Sequence, residues 1–207
     1  AMLKSVGKEA FRIRNPETAL ATLREAVRIA QTPPCGPVSI EIAIDVQKMT
    51  LPLPSDLSPL SVAPMAASLA AVDALAERLL QAHRPLLWLG GGARGASAAV
   101  QRLVKMGWAV VSSVQGRGIL AEDHPASLGS YNLQKPTEQF YGTVDAMLVV
   151  GSRLRSNETL TYKLALPAKR YRIDANPVAE NRGYEPDLFV HGDAQLILAH
   201  KQDRRHG

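Results

Sequence analysis

One cysteine, Cys35, stands in the whole chain. A single thiol cannot build an internal disulfide or a thiolate metal site. This removes the disulfide-rich secreted classes and fits a reducing, cytoplasmic setting. Aromatic residues are scarce, at 5%, and they do not interleave with the basic ones, so no stacking platform for nucleic acid is in view. The net charge of +5 is scattered along the chain. Only the tail "HKQDRRHG" is dense, and it reads as a solvated end rather than a nucleic-acid arm. No apolar run approaches the roughly 20 residues a bilayer demands, and no signal-peptide pattern is visible. The reading is a cytoplasmic protein without nucleic-acid or membrane partners.

What is present is an ordinary globular balance, 46% apolar and 21% charged over 207 residues. "NPETALATLREAVRIAQ" carries helix signals: Asn15 as N-cap, Pro16 at the first helical position, and apolar residues at helical spacing. "VSIEIAIDV" alternates Val38, Ile40, Ile42 and Ile44, which predicts a strand. One helix and one strand cannot bury a core, so residues 1–48 read as the end of a domain that begins elsewhere. Residues 49–65 hold four prolines and read as an extended linker. From 66 to 201 short apolar strands alternate with helices: "PLLWLG", "WAVVSS", "AMLVVG", "RYRIDA" and "LFVHG" as strands, with helices before, between and after them. Residues 202–207 form a tail. The expected fold class is α/β: a Rossmann-like doubly wound parallel sheet with helices on both faces, preceded by a helix-strand remnant of another α/β domain.

Within this pattern "LLWLGGGARGASAAV" places Gly90, Gly92 and Gly95 at G-x-G-x-x-G spacing between a strand and a helix. Such a turn can hold a phosphate on its backbone N–H groups, or it can simply let strand and helix pack closely. A nicotinamide site also needs an acidic residue at the end of the next strand. That strand ends in Ser112, Ser113 and Gln115, which disfavours NAD. Other predicted strand ends carry Arg153, a phosphate partner or a solvated loop charge like Arg155 and Glu158, and Asp174, a carboxylate able to meet ribose hydroxyls. Asp193 is equally explained as a helix N-cap, and His124 as the organiser of a turn.

The ordered motifs resemble thiamine-diphosphate-dependent enzymes of the acetolactate synthase type. "GPVSIEIAIDVQ" (36–47) is similar to the closing strand of that family's first domain. "RPLLWLGGGARGA" (84–96), "GRGILAEDHPASLG" (116–129), "DAMLVVGSRL" (145–154), "RIDANP" (172–177) and "GDA" (192–194) resemble its central domain, in order. The resemblance implies a piece of an enzyme that acts on a 2-oxo acid as a decarboxylase or carboligase, with thiamine diphosphate and Mg2+ held on other domains. It implies no catalytic residue and no metal ligand in this chain. "HGDA" lacks the second glycine of the family's metal motif. The implied partners are the remaining catalytic domains of the same polypeptide, in a homodimer or homotetramer.

The resemblance further implies that the central domain binds FAD in some members, ADP in others and nothing in the rest. The residues matching that site are Gly91, Gly92, Ser113, Gln115, Gly116, Gly151, Arg153, Asp174, Asp193 and Ala194. Two features depart from the flavin-binding pattern. "SYNL" (130–133) stands where a Met-His-Gly segment belongs, and "GSRLRSNE" lacks both carboxylates of the flavin group's motif. The alternative function is a stand-alone adenine-nucleotide sensor. A small NAD-dependent enzyme is a third reading.

Overall fold

The computed structural model describes residues 2–52 and 54–200; the expected tail, and Lys201 at the end of the last helix, lie outside them. The chain divides after Pro64 into two compact units.

The first unit opens with α1 (Met2–Val6) and β1 (Glu9–Ile13), followed by α2 (Ala19–Gln31) and β2 (Val38–Ile42). Asn15 caps as expected: its Oδ1 accepts from Glu17 N (2.9 Å) at a 3-10 turn that leads into α2. β2 is not an orphan. It pairs in parallel with β1 from Glu9↔Val38 to Ile13↔Ile42, so the unit is a two-stranded β-α-β crossover rather than one helix and one strand. "EAFRI" escaped the sequence reading because its five residues carry two charges and only three apolar side chains, too few for a clear period-two pattern. Ile44 falls beyond the strand and is 73% exposed. At the far end of α2, Lys8 Nζ donates to the carbonyls of Ile29 and Thr32, both at 2.6 Å. These are terminal carbonyls that the helix cannot satisfy itself.

The second unit contains α3 (Leu69–Leu80), β3 (Pro85–Leu89), α4 (Ser97–Lys105), β4 (Ala109–Ser112), α5 (Lys135–Tyr141), β5 (Ala146–Val150), β6 (Arg170–Asp174), β7 (Leu188–His191) and α6 (Ala194–Ala199). Its five strands are all parallel, in the order β4-β3-β5-β6-β7. All five residues of β5 are buried, as are Leu86 to Leu89 of β3. Continuous apolar strands of this kind require cover on both faces.

On one face Leu87, Leu89, Val110, Leu148, Ile173 and Val190 pack with Val72 and Leu75 of α3, Val100 of α4 and Ile197 of α6. On the other, Leu86, Trp88, Val111, Met147 and Val149 pack with Tyr141 of α5 and with Leu154 and Leu164 from the segment after β5. Helices therefore lie on both faces, three against one, and an irregular segment completes the second layer. Leu69 and Leu80 are exposed; they are the first and last residues of α3, where its apolar face runs off the sheet.

Candidate functional site

Parallel strands bring all their C-terminal ends to one rim. The chain enters the sheet at β3, steps to β4 on one side, and then crosses to β5 on the other. The switch point between β3 and β5 is where open α/β sheets usually leave a crevice for ligands. The turns after β3, β4 and β5 carry Gly91 and Gly92, Ser113 with Gln115 and Gly116, and Gly151 with Arg153. Asp174 ends β6, and Asp193 and Ala194 follow β7. All ten residues matched from the sequence thus lie on the same rim.

At the switch point the turns interlock. Gly90 N donates to Val150 O (2.9 Å), Gly92 N to Gly151 O (3.1 Å), and Ala93 N to Gly90 O (3.1 Å). A Cβ on Gly90 would stand 2.2 Å from Gly151 O, and one on Gly92 would stand 2.8 Å from Gly151 Cα. Gly151 has φ +59°, and its own Cβ would meet Gly92 at 2.5 Å. The turn after β4 closes from the other side. Ser113 N donates to Leu89 O (2.9 Å), and a Cβ on Gly116 would lie 2.1 Å from that same oxygen. Arg94 then reaches over the top, from Nη2 to Gln115 Oε1 (3.2 Å) and from Nε to Gln115 O (3.4 Å). Sequence reasoning missed Arg94; its only signal was a long donor side chain inside the glycine turn.

Ser113 Oγ is buried and makes no hydrogen bond. Asp174 is buried at 9% exposure, with Oδ1 accepting from Asn176 N (2.8 Å). Burial pushes its carboxyl above the usual carboxylate range. That hydrogen bond and the charges of Arg153, Arg172 and His191 pull the other way and do not offset it. The Arg153 guanidinium forms no hydrogen bond or ion pair among the described residues. Asp193 is the N-cap of α6, its Oδ1 accepting from Leu196 N at 3.0 Å. His124 closes a turn, with Nδ1 accepting from Ala126 N (3.1 Å). The Glu158 carboxylate accepts from Ser152 Oγ and Arg155 N, each at 3.4 Å, within its own loop.

Among the described residues no group of three or more His, Cys, Asp or Glu side chains comes together to hold a metal, and no helix is long and apolar enough to cross a membrane. Fold and site together define the class: a doubly wound, Rossmann-like α/β unit whose glycine turns pack against one another at the switch point. Residues 72–200 match the family model described as the central domain of thiamine pyrophosphate enzymes, and the chain belongs to that family.

Among its relatives is a probable acetolactate synthase large subunit from Methanocaldococcus jannaschii, 29% identical over 93% of this chain and 35% of that protein. A glyoxylate carboligase from Escherichia coli O157:H7 is 29% identical over 96% of this chain and 35% of its own. In structure the chain is similar to a putative thiamin diphosphate-dependent enzyme from Mycobacterium smegmatis. The TM-score is 0.71 and the identity 26%, over 94% of this chain and 38% of that one. The chain spans about a third of the length of the curated relatives it matches.

Proposed function

We propose that this chain is the central segment of a thiamine-diphosphate-dependent enzyme that decarboxylates a 2-oxo acid or joins it to a second carbonyl compound. The chain itself supplies architecture and no reacting group. The observation that carries this reading is the alignment of both units, from the β-α-β crossover through the parallel sheet, with one continuous third of such enzymes. Thiamine diphosphate, when bound, supplies a ring that adds to the 2-oxo carbonyl and holds the electrons released as carbon dioxide leaves. It would sit with Mg2+ on other domains, in a cytoplasmic homodimer or homotetramer. The rim described above contributes no proton donor or acceptor to that chemistry.

The test is an assay of carbon dioxide release from a panel of 2-oxo acids by the polypeptide of the whole reading frame, with thiamine diphosphate and Mg2+ added. Turnover that requires both additions is the expected result. Turnover that needs neither would overturn the reading.

An adenine nucleotide on the rim, FAD or ADP, is the second reading, with Gly91, Gly92, Ser113, Gln115, Gly116, Gly151, Arg153, Asp174, Asp193 and Ala194 as its candidate contacts. The observation in its favour is the Arg153 guanidinium, left without a partner at a strand end and able to meet a phosphate. Against it stand the turn N–H groups of Gly92, Ala93, Gly116, Gly151 and Gly192, which already donate within the protein.

A further inference from the structure

We infer that the glycine turns of the rim are a packing seam and not a phosphate cradle, so that the central unit closes its strand ends without an adenine dinucleotide. The inference rests on the architectural role proposed above, and it disagrees with the cofactor that some members of the family carry.

A phosphate cradle needs backbone N–H groups that point outward without partners. Five turn N–H groups on this rim already donate within the protein: Gly92 to Gly151 O, Ala93 to Gly90 O, Gly116 to Ser113 O, Gly151 to Ile173 O, and Gly192 to Asp174 O. A cradle glycine is also bare because a ligand needs the space a Cβ would fill. Here that space is taken by protein: Gly151 O and Ser152 Cβ at Gly90, Gly151 Cα at Gly92, Leu89 O at Gly116, and Gly92 at Gly151.

In the dinucleotide fingerprint, moreover, the glycines open an α-helix whose positive end faces the pyrophosphate. In this chain a 3-10 segment, Gly91–Ala96, intervenes, and α4 begins only at Ser97. The unpartnered Ser113 Oγ is sealed beneath the seam, with no surface for a ligand to touch. What remains at the rim is Arg153, which makes no hydrogen bond or ion pair among the described residues and whose charge already acts on the Asp174 carboxyl.

The experiment is thermal melting of the 207-residue chain with and without FAD or ADP at about 1 mM, together with glycine variants melted without any nucleotide. Neither nucleotide is expected to move the midpoint. Gly90→Ala and Gly116→Ala, which drive a methyl into a backbone oxygen, should each lower it by about 5 °C or more, or prevent folding. Gly91→Ala should lower it least, because its Cβ would stand 3.2 Å from Gln115 Cβ and an ordinary 3.7 Å from Gln115 O. A rise with FAD or ADP that disappears in a Gly92→Ala protein melting like the parent would overturn the inference. So would a Gly116→Ala protein that melts unchanged. Failure of the proposed 2-oxo acid chemistry would show only in turnover, so the two outcomes are read apart.

Discussion

At the scale of single residues, the second unit holds two buried charges on one strand, and they behave differently. Asp174 is ionised at neutral pH in the unfolded chain, and burial in the folded state pushes its carboxyl above the usual carboxylate range. Such a group contributes most stability below its unfolded pKa and loses that contribution as pH rises through the elevated folded value. Asp174→Asn keeps the oxygen that accepts from Asn176 N and removes the buried charge. Its melting point should exceed the parent's by about 2–4 °C at pH 7. The gap should close as the pH is lowered toward 4, and a gap that widens on acidification would contradict the assignment.

Arg172, 1% exposed, sits two residues earlier and holds its neighbours in place. Its guanidinium donates to the carbonyls of Ala179, Arg182 (3.3 Å) and Tyr184 (2.7 Å), closing the connection between β6 and β7. Arg172→Met leaves those carbonyls without their donor. It should lower stability in urea denaturation by about 2–4 kcal/mol, whereas a loss below about 0.5 kcal/mol would mean that the loop holds itself.

At the scale of elements, ends decide more than interiors. The six residues of α6 make a helix too short to persist by itself, and the Asp193 carboxylate satisfies one of its first N–H groups. Asp193→Ala should cost about 1 kcal/mol, measured by denaturation, and Asp193→Asn should restore most of it. This cap was legible in the sequence, because an acid directly before an apolar helix pattern has few other uses. The five strands of the second unit were legible for the same kind of reason: runs such as "AMLVV" have no other home than a doubly covered sheet. β1 was not, since Ala10, Phe11 and Ile13 take on meaning only when β2 lies beside them. The spacing of Gly90, Gly92 and Gly95 could not by itself separate a ligand turn from a packing turn. Both need a bare Cα, and the difference lies in what occupies the space beside it. For Gly90 and Gly92 that neighbour is Gly151, about 60 residues further along, and no local pattern reports it.

At the scale of the whole molecule, the two units differ in how completely they are built. The second contains both apolar clusters, and strands β3, β5 and β6 are each paired on two sides. In the first, only Ile13, Ala26 and Val46 are buried apolar residues among those described, while Leu23 and Val27 of α2 stand exposed. β1 and β2 pair only with each other, so each keeps one unpaired edge among the described residues. Local opening is governed by how much apolar surface and how many hydrogen bonds must be given up together. Amides of β1, β2 and α2 should therefore exchange with deuterium at least about 100-fold faster than those of β3 and β5 in this chain, as read by mass spectrometry of peptides from each element. Comparable protection of Phe11 and Leu148 would show that the first unit owns a core beyond the residues that line it here. The architectural reading would then have to treat both units as equally self-sufficient.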